Sequence, residues 1–304
     1  MLGNGLVLWV IVMGVKLRSM TDICLFNLSL ADLLLVGSLP FLAYQLEDHW
    51  VFGDGMCKLV LGVYYVGYYS GIYFITLMGV DRYLAIVHAV YALRVRTRTY
   101  GIIASAVVWV AAICSSFPEV LALELTYDNT TDTYMCIRNF NKLEGLSNVA
   151  IFKMNVVGFV IPLAVLVFCY TRILLVLLQG RTAKRQAVRL VVVVMVAFFC
   201  CWAPYNISLF LYGLNNMELF GIDCESTNSL MLSLQVTEVI AYTHCCLNPV
   251  LYVFVGVKLR RHLFKLLSKS VCVRCGFLKG YLTAASGGSV YSRTSNASER
   301  STAL

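Results

Sequence analysis

The chain has 304 residues, of which 60% are hydrophobic and only 13% are charged, and its formal net charge is +8. Soluble domains carry about 25% charged and about 45–50% apolar residues, so this composition excludes a soluble globular protein and also a disordered chain. With only 5 prolines and no glycine period, a collagen-like repeat is excluded as well. The composition therefore predicts a protein embedded in a lipid bilayer.

Six apolar stretches are long enough to cross the bilayer, because a spanning helix needs about 20 mostly apolar residues. They are residues 21–46, 59–88, 100–125, 146–178, 190–214 and 230–257. The opening run, residues 1–15, is apolar but short, and we interpret it as the inner part of a first span. We therefore expect an all-α membrane protein, a seven-transmembrane helix bundle whose first helix is truncated.

The chain after the last span is different in character. Residues 258–270 place leucines on one helical face and basic side chains on another, which predicts a short amphipathic helix on the inner leaflet. We assign residues 1–270, including this helix, to the transmembrane domain and residues 271–304 to a disordered Ser/Thr-rich cytoplasmic tail. Cys272 and Cys275 lack the four ligands that zinc needs, so S-palmitoylation is the favoured interpretation.

Charge is distributed unequally between the two faces. If the connections after the first, third and fifth spans share a side with the tail, that side holds 20 of the 24 lysines and arginines. This bias predicts that the N-terminus is outside and the C-terminus cytoplasmic. The opposite side holds 11 of the 16 acidic residues. These are either ordinary polar loop residues or a surface that attracts basic ligands by electrostatic steering.

Two cysteines and one glycosylation motif fall on the predicted outer side. A disulfide between Cys57 and Cys136 would hold the loop between the fourth and fifth spans over the mouth of the bundle. Of the Asn-x-Ser/Thr motifs, only the one at Asn129 faces outward, so it is the expected glycosylation site.

An acidic residue lies in the middle of the second span. Asp32 is a candidate functional residue, because an ionisable group at that depth is costly. One interpretation is an interhelical hydrogen bond to Asn4 or Asn248, and the other is a sodium or proton site. The residue types favour neither.

Asp81, Arg82 and Tyr83 end the third span on the predicted inner side. A guanidinium at that depth needs a partner, and we expect Asp81 to pair with Arg82 at rest. An arginine that only sets the topology does not explain the adjacent acid. Breaking such a pair is the kind of two-state change that a switch requires.

A second carboxylate, Glu238, lies near the outer end of the seventh span. Tyr64, Tyr65 and Tyr68 on the third span and Tyr205 on the sixth lie at a similar depth. Each tyrosine alone is explained by helix packing. Together with the carboxylate they predict an amphipathic pocket for a cationic group.

Prolines interrupt four spans, at Pro40, Pro162, Pro204 and Pro249. Each removes a helix hydrogen bond and permits a kink. Pro204 follows Trp202 by two residues, and a kink beside a bulky indole can act as a lever. Static packing explains any single proline, but four of them favour helix pivoting.

These residues carry a resemblance to the rhodopsin-like (class A) G-protein-coupled receptors over essentially the whole chain. The landmarks are Gly3-Asn4, Asp32, DRY at 81–83, Trp109, Pro162, Tyr170, CWAPY at 201–205 and NPVLY at 248–252. Within that class the chain resembles the CC-type chemokine receptors, closest to the type-4 and type-8 branch. The residues concerned are DRYLAIVHAV at 81–90, WVFG at 50–53, Glu238, HCCLNP at 244–249, LRSMTD at 17–22 and FKMN at 152–155.

The resemblance implies a plasma-membrane receptor, not an enzyme, that binds a small basic chemokine and activates Gi-family G proteins to drive chemotaxis and calcium signalling. The implied ligand contacts are Glu238, Tyr64, Tyr65, Tyr68 and Tyr205. The implied activation switch comprises Asp81, Arg82, Tyr83, Tyr170, Trp202, Pro204, Asn248, Pro249 and Tyr252. Receptor kinases and arrestin at the tail and membrane lipid are further expected partners, whereas nucleic acid and a required cofactor are not expected. Gly71 replaces a serine that ligates sodium in many class A receptors, which weakens the sodium interpretation of Asp32 and Asn248.

Other membrane functions fit less well. A light sensor of this class needs a Schiff-base lysine in the last span, and residues 230–257 contain none. A transporter would be expected to show inverted repeats or broken helices. An atypical, non-signalling chemokine scavenger would have the same outer face, but its DRY element is usually altered, whereas Asp81-Arg82-Tyr83 is intact. Another peptide-binding class A receptor is a further alternative.

Overall fold

Long helices and one short β-hairpin make up the structure, a computed structural model. It describes residues 1–15, 17, 19–129, 132–138, 146–179, 185–217, 224–255 and 261–263. The helices of this part of the chain are α1 (Leu2–Val10), α2 (Met20–Glu47), α3 (Gly53–Val87), α4 (Ala89–Val95), α5 (Arg98–Leu121), α6 (Leu146–Asn155), α7 (Ile161–Gln179), α8 (Arg185–Asn216) and α9 (Cys224–Val255). A π-helical turn extends α1 over Ile11–Val15, and another joins α6 to α7 over Val156–Val160.

Six helical segments of the described chain are long and apolar enough to cross a membrane. They are Met20–Glu47, Gly53–Val87, Arg98–Leu121, Val149–Gln179, Val196–Asn216 and Thr227–Leu251, and the shorter apolar helix Leu2–Gly14 precedes them. The fold is thus an all-α membrane bundle, as predicted. The span predicted over residues 100–125 is too long, because α5 ends at Leu121 and a strand begins at Leu123.

Helix α3 is the central element and packs against α2, α5 and α7. Its approach to α2 depends on Gly67, because a Cβ there would lie 2.7 Å from the backbone nitrogen of Leu35. Helix α2 begins with a capping box, in which the side chains of Ser19 and Asp22 each accept a hydrogen bond from the other residue's backbone N–H. The cap sets the start of α2, and the glycine sets its contact with α3.

Two amide side chains, the buried Asn4 and the half-buried Asn27, connect the helices. Asn4 Nδ2 of α1 donates to the backbone oxygen of Cys245 on α9 over 3.0 Å. Trp109 Nε1 of α5 donates to Asn27 Oδ1 of α2 over 2.9 Å. Such bonds stabilise helix pairs in lipid, where apolar packing alone gives little preference for one partner.

The β-hairpin consists of β1 (Leu123–Asp128) and antiparallel β2 (Thr133–Arg138), with Leu125 opposite Cys136. It lies beside the first turns of α3, and we call this end of the bundle the hairpin end. We call the opposite end, where α4 follows α3, the α4 end.

Three connections hold the hairpin in place. A disulfide joins Cys136 to Cys57 on α3, as predicted. Gln45 of α2 binds both sides of the same cysteine: its Nε2 donates to the Cys136 oxygen over 3.1 Å, and its Oε1 accepts from the Cys136 N–H over 2.9 Å. The backbone N–H of Trp50 donates to the Tyr134 oxygen over 2.8 Å.

The predicted amphipathic helix 258–270 is described only at residues 261–263, which are helical. Leu263 is buried there and packs against Val7, Val10 and Ile11 of the first helix. Residues 258–260 and 264–304, with the tail and with Cys272 and Cys275, lie outside the described residues.

Candidate functional site

The Glu238 carboxylate on α9 accepts a hydrogen bond from a phenol on α3. Tyr64 Oη donates to Glu238 Oε1 over 2.7 Å and lies 3.0 Å from Tyr242 Oη. Tyr64 is buried, whereas Glu238 and Tyr242 are half-buried. Tyr242 is not among the predicted contacts, although its position four residues after Glu238 places it on the same face of α9. One carboxylate and two phenols therefore meet between α3 and α9.

Arg138 brings a positive charge to the same region. Its guanidinium carbon lies 5.8 Å from the ring centroid of Tyr65, and its Nη1 lies 3.8 Å from Met154 Sδ. The adjacent Tyr65 phenol raises the pKa of Arg138, with smaller effects of Tyr205 and Glu238. Arg138 was predicted only as a basic residue of the outer loops, because its position over α3 depends on the hairpin.

Tyr64 and Tyr65 lie in edge contact, with ring centroids 5.0 Å apart. The carboxylate bound by the first and the guanidinium over the second therefore belong to one assembly. We call it the Glu238 cluster, and its members are Tyr64, Tyr65, Arg138, Glu238 and Tyr242.

One turn further along α3, Tyr68 connects this cluster to Trp202. The two rings lie edge to face with centroids 5.2 Å apart. The Tyr68 hydroxyl and Trp202 Nε1 are buried without a hydrogen-bond partner in the described chain. Tyr205, three residues after Trp202 on α8, is also buried and lies within electrostatic range of Glu238. Tyr68, itself one of the predicted ligand contacts, thus touches Trp202 of the predicted switch.

Asp32 forms one of the two hydrogen bonds that its sequence context suggested. Asn248 Nδ2 donates to Asp32 Oδ2 over 2.9 Å, and both residues are buried. A Cβ at Gly71 would lie 3.8 Å from Asp32 Oδ1, so a serine there could offer an oxygen that glycine cannot. Asn248 presents its N–H groups to Asp32 and Gly71 has no side-chain oxygen, so neither neighbour offers a sodium ligand here, and the sodium site stays a prediction. The described residues also contain no group of three or more His, Cys, Asp or Glu side chains that could hold a metal.

The expected pair between Asp81 and Arg82 is wrong. Asp81 is fully buried and pairs instead with Arg96, whose Nε lies 2.6 Å from Asp81 Oδ1. Thr21 Oγ1 of α2 donates to Asp81 Oδ2 over 2.7 Å. The hydrogen bond to Asp81 raises the pKa of Arg96. Neighbours in sequence on a helix point in different directions, so the carboxylate faces α2 while Arg82 does not.

Arg82 is exposed at the α4 end and forms no ion pair with any described carboxylate. It lies within electrostatic range of the buried Tyr170 on α7. Tyr83 lies 2.9 Å, Oη to Nε2, from His88, and its ring contacts Phe168. Of the predicted switch residues at this end, Arg82 is therefore accessible and Tyr83 is half-buried, whereas Asp81 and Tyr170 are buried.

Helix α4, at the same end of the bundle as Arg82, exposes large apolar side chains. The exposed fractions are 84% for Val90, 58% for Tyr91 and 83% for Leu93. Apolar residues grouped on a surface outside the spanning segments indicate a site of protein or membrane contact.

A model of the 7 transmembrane receptor (rhodopsin family) matches residues 3–252. The chain belongs to this family. The receptor is 46% identical to human C-C chemokine receptor type 1 over 278 residues, covering 90% of this chain and 77% of that protein. It is 44% identical to human type 8 and 42% identical to human type 4 over 287 residues each, covering 93% and 92% of this chain and 78% and 79% of those proteins.

These comparisons confirm the predicted class A, CC-type family. They also agree with a multi-pass membrane receptor that is not an enzyme. The predicted types 4 and 8 are among the relatives, and type 1 has a slightly higher identity than either.

The receptor also contains a buried ion pair that was not predicted. Lys153 Nζ of α6 lies 2.7 Å from Glu119 Oε2 of α5, and Glu119 is fully buried. The Tyr69 hydroxyl of α3 donates to Glu119 Oε1 over 2.9 Å, and Lys153 Nζ donates to the backbone oxygen of Ser115 over 2.5 Å. Both charged residues were counted as outer loop charges, because the sequence does not show that they face each other.

The other predicted residues of the receptor are placed as follows. Pro204 lies inside α8 and Pro249 inside α9. Asn129 is exposed in the turn after β1. Tyr252 belongs to α9, but its side chain lies outside the described residues. The roles of all of these remain predictions.

Proposed function

We propose that this receptor binds a basic chemokine at its hairpin end and activates Gi-family G proteins, driving chemotaxis and calcium signalling. The observation that supports this most directly is the Glu238 carboxylate, which accepts a hydrogen bond from Tyr64 and lies near Arg138 of the hairpin. A half-buried carboxylate among aromatic rings favours a cationic partner, because the rings attract cations and the carboxylate supplies the charge.

The orientation in this proposal is that the hairpin end faces outward at the plasma membrane and the α4 end faces the cytoplasm. The outward side holds 11 of the 16 acidic residues, and those that are exposed would increase the encounter rate with a basic ligand. Asn129 would carry a glycan on that side, and Cys272 and Cys275 would carry lipid on the other.

Tyr68 and Trp202 would transmit ligand binding through the bundle. A ligand group entering the Glu238 cluster would press on Tyr68, whose ring already contacts Trp202. Because Pro204 lies two residues beyond Trp202, the backbone there lacks one helix hydrogen bond and can pivot. The part of α8 that lies toward the α4 end of the bundle would then move relative to α3.

At the cytoplasmic side, Arg82, Tyr170 and Tyr252 would form the cleft that receives the G protein. Exposed Val90 and Leu93 of α4 would supply its apolar contact. Receptor kinases and arrestin would act at the tail, and no step involves a cofactor or nucleic acid.

The test is a panel of chemokines applied to cells that express the receptor, with inhibition of cAMP production as the readout. We expect at least one basic chemokine to lower cAMP, and Glu238→Gln to reduce its potency at least tenfold at equal surface expression. Glu47→Gln is the matched control, since Glu47 is exposed at the hairpin end. Equal potency of wild type and Glu238→Gln would contradict the role of this carboxylate.

Arg82→Ala tests the cytoplasmic half separately. We expect it to retain ligand binding and lose nucleotide exchange on Gi, whereas the exposed Arg98→Ala retains both. Chemokine uptake without any Gi response in the wild type would instead indicate a scavenger.

A further inference from the structure

Arg138 is held rigidly although it lies in a connecting segment. It ends β2, two residues after Cys136, which is bonded to α3 through the disulfide and to Gln45 of α2 through two hydrogen bonds. Its backbone also pairs with Leu123 at the start of β1. The backbone that carries the guanidinium is therefore held in place without a ligand, which reduces the entropy lost on binding.

Arg138 is exposed, so its guanidinium is open to a ligand, and the protein itself binds few of its N–H donors. Arginine has five N–H donors, and in the described chain the Arg138 guanidinium contacts a thioether sulfur, which accepts weakly, and an aromatic ring. No described carboxylate lies within ion-pair distance of it. The planar fork of an arginine fits a carboxylate with two parallel hydrogen bonds, better than any neutral acceptor.

Glu238 provides the opposite charge in the same cluster. Tyr64 binds Glu238, Tyr65 lies under Arg138, and the two tyrosine rings touch. A ligand that brings only a cation satisfies Glu238 and is repelled by Arg138. A ligand end that carries an ammonium and a carboxylate satisfies both charges.

We propose that Arg138 is a specificity-determining contact that binds an acidic side chain close to the amino terminus of the peptide whose ammonium group pairs with Glu238. This rests on the proposed function and refines it. The chemokine would be basic as a whole, for attraction to the outer face, but dipolar at the end that enters the bundle. Arg138 would thus discriminate among chemokines that all satisfy Glu238.

Four synthetic octapeptides of one otherwise uncharged sequence test the proposal on the full-length receptor in detergent micelles. The four peptides combine a free or an acetylated amino terminus with Glu or Gln at one position. A separate set of four is made for each of positions two, three and four. Affinity is measured by fluorescence anisotropy for the wild type, Arg138→Gln, Arg138→Lys and Glu238→Gln.

For at least one position, we expect the wild type to bind the Glu peptide about tenfold more tightly than the Gln peptide, as a charge-assisted double hydrogen bond predicts. Arg138→Gln should abolish this preference and keep the preference for a free amino terminus. Glu238→Gln should abolish the preference for a free amino terminus and keep the preference for Glu over Gln. Arg138→Lys should keep part of the Glu preference, because it retains the charge without the fork.

The proposal is overturned if the wild type does not discriminate between Glu and Gln, or if Arg138→Gln leaves the ratio unchanged. It is also overturned if Arg138→Gln strengthens all free-amine peptides equally, which would mean that Arg138 only neutralises Glu238. If Arg138→Gln loses both the preference for Glu and the preference for a free amino terminus, Arg138 supports the cluster without binding ligand. That result also overturns the proposal. A receptor that still responds to chemokines in the cAMP assay keeps the proposed function in each case.

Discussion

Replacing Lys153 by methionine removes the one described cation within ion-pair distance of the Glu119 carboxylate. Glu119 is fully buried, and among the described residues its carboxylate oxygens accept hydrogen bonds from Lys153 Nζ and the Tyr69 hydroxyl. Breaking a buried ion pair on one side costs about 3–5 kcal/mol, because a charge is left without compensation. We therefore expect Lys153→Met to lower the melting temperature by on the order of 6 °C or more, at roughly 2 °C per kcal/mol for a chain of this size.

Thermal unfolding of the purified receptor in detergent micelles, followed with a thiol-reactive dye, measures this effect. Lys58→Met is the matched control, because the Lys58–Asp54 pair has a similar 2.6 Å separation but both side chains are half exposed. An exposed pair is worth about 1 kcal/mol or less, so the control should change little. The double variant Glu119→Gln/Lys153→Met leaves no unpaired charge and should recover most of the loss.

Two results would refute this reasoning. Equal melting temperatures for Lys153→Met and Lys58→Met would show that burial does not strengthen the Glu119 pair. A double variant as unstable as Lys153→Met alone would show that the loss comes from packing of the lysine stem and not from the unpaired carboxylate.

Three further predictions concern other contacts. Gly158→Ala should lower the melting temperature, because the added Cβ would lie 2.9 Å from the Tyr68 hydroxyl oxygen. The double variant Gly158→Ala/Tyr68→Phe should recover part of the loss. No recovery would argue against this contact. Gln45→Ala removes two hydrogen bonds to the hairpin. It should weaken chemokine binding about three- to tenfold without loss of surface expression. Unchanged affinity in a radioligand assay would contradict a role of Gln45 in holding the hairpin. Asp81→Asn should weaken the pair with Arg96 and raise basal nucleotide exchange on Gi. Basal exchange equal to that of the wild type would argue that this pair does not restrain the resting state.

The spans could be predicted from the sequence because the bilayer imposes one strong requirement. A helix in lipid needs about 20 apolar residues in succession, and this signal is local. The hairpin was missed for the opposite reason. Its first strand begins within the apolar run that follows Pro118, and the alternation that marks a strand extends over only six residues, Leu123–Asp128.

Part of the candidate site could be predicted in the same local way. Glu238 and Asp32 are recognisable because an ionisable residue within a span is rare and costly. Their partners could not be derived, since Tyr64 is 174 residues from Glu238 and Asn248 is 216 residues from Asp32. The wrong pairing of Asp81 with Arg82 has the same origin, because adjacency in sequence was taken as contact.

By itself, the sequence determined that this protein is a membrane-spanning helical bundle with a strong charge asymmetry and identified its receptor family. These properties depend on composition, run length and local motifs. Only the tertiary structure decided which charges meet: Arg138 with the Tyr65 ring near Glu238, Lys153 with Glu119, and Arg96 with Asp81. The physical reason is that a buried charge is stabilised by whichever group the packing of other helices brings to it, and that packing depends on side chains throughout the bundle.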